Sequence, residues 1–343
     1  ARASLLITGL WPQKREVAAT IMTVVFPSTC PTMVLALMST TGKTFIPHAL
    51  LATLIAIWAG SFVVSKVAMT SMTPFALVSS RFVLGALCVL PFFLRSTREQ
   101  RQGTLGPGLL AGLVLAVPYF LQMYGVRETT ASMGGFVTGL IMLLVAVGGH
   151  FCFGARIGKL AVIGLALGLT GVVVLCRSGD PYPAAIDGVS EQIVRHNTLR
   201  GILLQVGSAI GFAAHILLLS HYGSRLAVAP FTFWQLAFTG TVAIAGTLLV
   251  SGISADDNPV VWTPSLLASL FYLGVLATGV AIGVQAHVQH KIPPTHVALL
   301  FALQPLFAAL AGWAFQDDRL EPMQWFGGAL IVSGVVFASR DQG

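Results

Sequence analysis

Apolar residues fill long stretches of this chain, and short polar connections between them hold most of the charged residues. A helix needs about 20 mostly apolar residues to cross a membrane, and ten stretches are close to that length. None alternates strictly between apolar and polar positions, so the pattern predicts helices and not the strands of a barrel. The predicted spans are 46–68, 74–95, 106–126, 130–152, 158–176, 200–220, 230–251, 264–288, 294–315 and 322–340.

The composition agrees with an all-α membrane protein. Of the 343 residues, 55% are hydrophobic and only 9% are charged, and the mean hydropathy is +0.84. Soluble domains carry roughly 25% charged residues, which argues against a soluble enzyme, a nucleic-acid-binding module and a disordered chain. The four cysteines lack the spacing of a disulfide framework or a zinc site. We therefore expect no cofactor and no bound metal.

The basic residues predict an orientation. If the N-terminus is cytoplasmic, twelve of the nineteen Lys and Arg residues fall in inner connections, six fall in outer ones, and Arg81 lies within a span. This excess agrees with the positive-inside rule, so we expect both termini in the cytoplasm. The protein is then a multi-pass protein, expected in a bacterial inner membrane, and its net charge of +7 needs no nucleic-acid partner.

The first 44 residues fit this scheme poorly, because their apolar part is interrupted by Pro27 and Pro31. We expect residues 1–44 to form a poorly structured tail that membrane insertion does not need. An eleventh helix in this region is the alternative, and it would invert the predicted topology.

The sequence contains an internal repeat. Residues 119–173 align without a gap with residues 282–336, at a constant offset of 163 that pairs Gln122 with Gln285. Each half has five predicted spans, and because five is odd the second half must enter the membrane from the opposite side. The sequence thus predicts ten transmembrane helices arranged as two inverted five-helix repeats, a class that places its substrate site between the halves. The predicted parts are 45–176 for the first repeat, 177–200 for the linker and 201–340 for the second repeat.

Several motifs resemble the EamA-type branch of the drug/metabolite transporter superfamily. Trp58 to Lys66 is similar to the family's W-G-x-x-F-x-x-x-K, and Pro74 to Phe82 is similar to its P-x(6)-R-F. In the second half, residues 298–309 resemble A-L-L-x-x-L-E-P-V-F-A-A, and residues 318–320 stand where the family has E-R-L. The resemblance covers residues 45 to 340 and implies export of amino acids, their derivatives, nucleobases or drugs.

The chain departs from the family pattern at three positions. Gln304 replaces the acid before Pro305, Met142 stands where the repeat predicts proline, and Ala155 stands where it predicts Glu. These changes argue against a mechanism that needs symmetric helix breaks or an acidic gate in both halves.

Arg81 is the most specific candidate for substrate binding. No Asp or Glu falls within a predicted span, so a carboxylate proton relay has no obvious residue. Arg81 lies seven residues after Pro74, or roughly 10 Å below the outer boundary. It either attracts a substrate carboxylate or snorkels to fix the depth of its helix. Lys66 is interpreted as an interfacial anchor.

Other polar and aromatic residues could line a cavity with Arg81. Tyr119 and Gln122 share a helix face, and Gln122 is expected to face Gln285 across the repeat axis. The alternatives are interhelical hydrogen bonds for the amides and histidines and an interfacial belt for the aromatic rings. The remaining candidates are Trp58, His215, Trp234, Gln235, Tyr272, Gln285 and Gln304.

We therefore expect a secondary-active transporter and not an enzyme. It would export a small metabolite, an amino acid or a derivative, by alternating access, with membrane lipid as its surroundings and a monomeric or homodimeric state. The alternatives are a translocase of lipids or lipid-linked metabolites and an intramembrane enzyme. For the enzyme the sequence offers His287, His290 and His296 without a nearby acid.

Overall fold

A computed structural model of the protein describes residues 42–154, 158–177, 197–222, 226–253, 260–288, 300–318 and 320–340. Contacts divide the chain into residues 1–49 and residues 50–343. Residues 42–49 of the first unit are helical, so a helix begins within the predicted tail. The rest of that tail, residues 1–41, lies outside the described residues, as do residues 178–196 of the predicted linker.

Most of the described residues are helical, and none of them forms a strand. Eight helical regions are long and apolar enough to cross a membrane, and a shorter apolar helix covers Pro322–Ala338. The all-α class is confirmed, and every predicted span contains a helix. The helices are α1 (Gly42–Ala68), α2 (Pro74–Arg95), α3 (Arg98–Arg127), α4 (Ala131–Thr138), α5 (Leu140–Phe153), α6 (Lys159–Arg177), α7 (Leu199–Tyr222), α8 (Val228–Ile253), α9 (Pro264–Leu270), the π helix π1 (Phe271–Val280), α10 (Ala281–Val288), α11 (Gln304–Gln316) and α12 (Pro322–Arg340).

The third helix is longer than the predicted span, because α3 begins at Arg98 and not at 106. Thr97 and Gln100 form a capping box, in which each side chain accepts the other residue's backbone N–H at 3.2 and 3.0 Å. This box satisfies amides that the start of a helix otherwise leaves unpaired. Thirty residues extend about 45 Å, more than the roughly 30 Å hydrocarbon layer, so the charged first turns lie at the membrane surface.

The ninth predicted span is described only in part. Residues 289–299 lie outside the described residues, and α11 begins at Gln304 with Pro305 in its first turn. Proline is favoured there because the first amides of a helix have no intrahelical partner.

Neighbouring helices follow the internal repeat. The helix α3 of the first half packs against α8 of the second half. When the halves are exchanged, the equivalent helices are π1 and α2, and these also pack together. The pairs α6–α12, α2–α8 and α4–α11 each join equivalent helices of the two halves. A contact pattern that stays the same when the halves are exchanged is expected of a pseudo-two-fold repeat.

Glycines show that equivalent helices run in opposite directions. Early in α6, Gly164 lies against Gly334 late in α12, whereas Gly171 late in α6 lies against Gly327 early in α12. The two helices are therefore antiparallel, as an inverted repeat requires. Small residues allow this close approach, which supports packing where no hydrophobic effect drives helices together.

Candidate functional site

Arg81 is buried between helices of both halves. The α2 helix begins at Pro74 after the N-cap Thr73, which places Arg81 two turns into the bundle with only 2% of its surface exposed. Its Nε donates a hydrogen bond to Thr278 Oγ1 of π1 at 2.8 Å. No described residue forms an ion pair with Arg81, whereas Arg200 and Glu128 form an ion pair at 3.0 Å.

An aromatic ring lies over the guanidinium of Arg81, and two further rings pack against it. Its carbon lies 4.8 Å from the ring centroid of Tyr119, a cation–π arrangement. Tyr119 in turn meets Phe82 and Phe212 edge to face, with centroids 4.6 and 5.1 Å apart. We call Arg81, Thr278, Tyr119, Phe82 and Phe212 the Arg81 cluster. Its members come from α2, α3, α7 and π1.

The π helix orients Thr278 toward Arg81. Its hydroxyl donates to the carbonyl of Leu273, five residues earlier, at 2.7 Å. The donor is thus used within π1, and a lone pair of the same oxygen accepts from Arg81. The Thr278 methyl group packs over Gly85, where an added Cβ would lie 2.8 Å away. Thr278 is therefore held by contacts on both sides.

Trp58 and Tyr272 connect α1 with π1 through hydrogen bonds to backbone carbonyls. The Trp58 indole donates to Ala277 O at 2.8 Å, and the Tyr272 hydroxyl donates to Ile57 O at 2.8 Å. Trp58 also stacks on Phe301 with centroids 5.9 Å apart. Interhelical hydrogen bonds of this kind were not expected for the aromatic candidates, which were interpreted as cavity-lining residues or as an interfacial belt.

We expect Tyr272→Phe to lower the free energy of unfolding by about 1 kcal/mol, because it removes a single hydrogen bond and keeps the ring. The measurement is a denaturant titration of the purified protein in micelles. Tyr222→Phe is the matched control. The described contacts of Tyr222 are those of its ring with His221 and Phe231 at the end of α7, and the substitution keeps that ring. Equal stability of the two variants would contradict the expectation.

His215 and Gln235 form a buried pair beside the Arg81 cluster. His215 Nε2 lies 3.1 Å from Gln235 Oε1, and the two residues are 7% and 3% exposed. His215 follows Phe212 by three residues on α7, so both lie on one face of that helix. The structure therefore brings these two candidate residues together at the edge of the Arg81 cluster.

Trp234 lies away from the Arg81 cluster. Its indole donates to the carbonyl of Arg101 at 3.0 Å. Arg101 precedes Tyr119 by 18 residues on α3, or about 27 Å along the helix axis. Trp234 lines an open groove of about 390 Å³ that also involves Phe93, Arg98, Arg101, Gln102 and Leu105.

The other three candidate glutamines have different positions. Gln122 is 9% exposed and lies one turn beyond Tyr119 on α3. Gln285 is half-buried in α10, and Gln304 is half-buried at the start of α11. The described contacts do not join Gln122 to Gln285, so their meeting across the repeat axis stays a prediction.

The histidines suggested for an enzyme form no site in the part of the chain described. His290 and His296 lie outside it, and so does the side chain of His287. No group of three or more potential metal ligands occurs among the described residues.

Sequence reasoning missed a second buried polar group. Lys66 is only 8% exposed, and its ammonium donates to the carbonyl of Thr129. Asp318 is also 8% exposed, and its Oδ2 accepts from Ser132 N at 3.1 Å and Ser132 Oγ at 2.8 Å. The Asp318 charge also acts on Lys66. We call these four residues the Lys66–Asp318 cluster.

The Lys66–Asp318 cluster joins the end of α1, the start of α4 and the connection after α11. Lys66 is the last residue of the W-G-x-x-F-x-x-x-K motif, and Asp318 is the first residue of the motif at 318–320. These motifs were the available sequence signal that the two residues are important. The interpretation of Lys66 as an interfacial anchor is wrong, because the structure buries its side chain. On the same side of the bundle, Asn197 Oδ1 accepts from the backbone N–H of Thr130 at 2.8 Å.

Comparison with known proteins agrees with this architecture. The EamA-like transporter family matches the chain twice, at residues 46–177 and 199–340. One solved crystal structure aligns with 85% of this chain and 96% of its own, with a TM-score of 0.53 at 20% identity. That likeness shows the fold alone.

Three curated relatives are transporters by name. An uncharacterized transporter of Archaeoglobus fulgidus is 27% identical, covering 82% of each chain. A probable amino-acid metabolite efflux pump of Escherichia coli is 25% identical, covering 82% of this chain and 90% of the pump. An uncharacterized inner membrane transporter of Escherichia coli is 24% identical, covering 82% of this chain and 87% of the relative.

Proposed function

The chain belongs to the EamA-like transporter family, and from this membership we propose that it is a secondary-active exporter of a small metabolite. Its cargo is an amino acid or a derivative, in line with the name of the Escherichia coli efflux pump that it resembles. Its location is a bacterial inner membrane with both termini in the cytoplasm. The inner-membrane relative and the distribution of basic residues support this location.

The observation that carries the proposal is the Arg81 cluster between the two halves. Arg81 and Tyr119 come from the first half, and Thr278 and Phe212 come from the second half. Inverted-repeat transporters hold their substrate between the repeats, so that rocking of one half against the other exposes it to each side in turn. A charged group at this depth costs free energy to insert, which supports a functional role for Arg81.

The Lys66–Asp318 cluster supports alternating access, because it also joins both halves. Lys66 and Ser132 belong to the first half, and Asp318 belongs to the second. Polar contacts close one end of the bundle here and would have to separate when that end opens. Charged pairs and hydrogen bonds are suited to such a gate because the solvent that enters replaces them.

Transport by the purified protein in liposomes tests the proposed function. A panel of radiolabelled amino acids and derivatives is presented with and without a pH gradient, and saturable flux of at least one compound is expected. Chemical conversion of the compounds without flux would instead indicate an enzyme. Scrambling of labelled lipid without solute flux would indicate a lipid translocase. Either result would overturn the proposal.

A further inference from the structure

Resting on the proposed function, we infer that the Arg81 cluster selects cargo with one net negative charge. The cargo class is a monocarboxylate with an apolar body, such as an N-acylated amino acid, and the zwitterionic parent amino acid is discriminated against. The inference depends on how Arg81 is held, on where the acidic residues lie and on the amide next to the cluster.

The contacts of Arg81 leave one part of its guanidinium for a ligand. Thr278 uses the Nε donor, and Tyr119 lies over the guanidinium at 4.8 Å. The two Nη groups make no hydrogen bond with any described residue. Guanidinium donors form a planar fork that matches the two oxygens of a carboxylate. Arg81 is thus pre-oriented to bind a carboxylate through its Nη groups.

Among the residues that the structure describes, no acid contacts the Arg81 cluster to receive the ammonium of a zwitterion. Glu99 precedes Tyr119 by twenty residues on α3, or about 30 Å along the axis. Glu128 follows Tyr119 by nine residues, about 13 Å in the opposite direction, and it already binds Arg200 and Thr198. Asp318 is buried, but it binds Ser132 within the Lys66–Asp318 cluster. The remaining acidic residues of the sequence stand outside the predicted spans.

Arg81 itself opposes a second positive charge in the site. The ring face of Tyr119, which could otherwise attract an ammonium group, already faces the guanidinium. The ammonium of a zwitterion would lose its hydration beside a like charge, which is a repulsive element that produces specificity. Because the site holds a single cation, a single negative charge neutralises it.

The amide of Gln122 complements an acylated amine. Gln122 lies one turn beyond Tyr119 on the same face of α3. It is 9% exposed and makes no hydrogen bond with any residue described. An amide offers a donor and an acceptor, so it can pair with the amide of an N-acylated amino acid. Phe82 and Phe212 supply apolar edges for the body of the cargo.

Three probes that differ by one group test the inference. They are N-acetyl-L-phenylalanine, which is an anion, L-phenylalanine, which is a zwitterion, and N-acetyl-L-phenylalanine amide, which is neutral. In counterflow with the purified protein in liposomes, we expect kcat/KM for the anion to exceed that for each other probe by about tenfold or more, which corresponds to 1.4 kcal/mol.

Variants of Arg81 attribute the selectivity to its charge. Arg81→Gln is expected to bring kcat/KM for the anion within about twofold of kcat/KM for the neutral amide. Arg95→Gln, the same change at the exposed end of α2, should keep the wild-type ratio. Binding measured by the thermal shift of the monodisperse protein keeps the test independent of transport rate.

Thr278 acts as a positioning residue for Arg81. Thr278→Val removes the hydroxyl that accepts from Arg81 Nε. This change is expected to raise KM for the anion about tenfold with little change in kcat. Thr278→Ser keeps the hydroxyl and should restore the wild-type KM. Thr170→Val is the matched control, because Thr170 is exposed and its hydroxyl bonds to Ala166 O within α6.

The outcomes separate this inference from the proposed function. Equal or faster transport of L-phenylalanine overturns the anion selectivity while it supports a transporter. Absence of both flux and binding for all three probes also overturns the inference. The proposed transport function is tested separately, by the panel of radiolabelled amino acids and derivatives. A Thr278→Ser variant as impaired as Thr278→Val would overturn the positioning role.

Discussion

Gly171→Ala is expected to lower the free energy of unfolding by about 3 kcal/mol, the upper part of the range for overpacking a tight interface. An added Cβ at Gly171 would lie 2.6 Å from the carbonyl oxygen of Gly327 and 2.8 Å from Ile331 Cγ1. The carbonyl belongs to the backbone of α12, so it cannot rotate away as a flexible side chain could. The two helices must separate, and their packing along the antiparallel contact is lost.

Gly106→Ala is the matched control for this experiment. Gly106 is exposed on α3, and no described atom would lie within 4 Å of an added Cβ. Alanine has a higher helix propensity than glycine by about 1 kcal/mol, so this variant should be as stable as the wild type or more stable. Titration of both proteins with sodium dodecyl sulfate in micelles measures the difference. Equal stability of the two variants would show that α6 and α12 do not pack as closely as the structure indicates.

Helix positions were predictable because the membrane imposes them. In the hydrocarbon layer every backbone polar group must be satisfied within the helix, so each long apolar stretch had to contain one. The start of α3 was not predictable from hydropathy, because the Thr97–Gln100 capping box extends the helix into charged residues. The relative direction of α6 and α12 followed from the odd number of spans in each repeat.

The candidate site was predictable only in its residue types. Arg81 and Tyr119 were identified singly, but the hydrogen bond from Arg81 to Thr278 depends on π1, whose wider turn no hydropathy pattern indicates. Trp234 was grouped with Arg81 because both are polar or aromatic residues within spans. The structure instead places Trp234 beside Arg101 at the other end of α3. Distances along a helix axis, and not residue types, decide which candidates can meet.

The cluster of Lys66 and Asp318 was hidden for a related reason. Both residues stand at the ends of predicted spans, where charged side chains normally face water, and the hydropathy pattern gives no reason to bury them. Only the packing of α4 against α11 brings Ser132 to Asp318. Long-range contacts of this kind need the tertiary fold.

Asp318→Asn is expected to lower the free energy of unfolding by about 3 kcal/mol, since it removes the negative charge that acts on the buried ammonium of Lys66. Asparagine keeps an oxygen that can accept from Ser132 N and Ser132 Oγ, so the loss reports the charge and not the hydrogen bonds. Glu321→Gln is the matched control, because Glu321 is exposed three residues later. That change should stay within about 0.5 kcal/mol of the wild type.

A double-mutant cycle then tests whether the two charges act on each other. Lys66→Met removes the ammonium and keeps an apolar side chain of similar length, and the double variant lacks both charges. Because neither buried charge is then left alone, the double variant should be more stable than the sum of the two single losses predicts, by at least about 1 kcal/mol. Strict additivity would mean that the charge of Asp318 does not act on Lys66, and that Asp318 closes this end of the bundle through Ser132 without any help from Lys66.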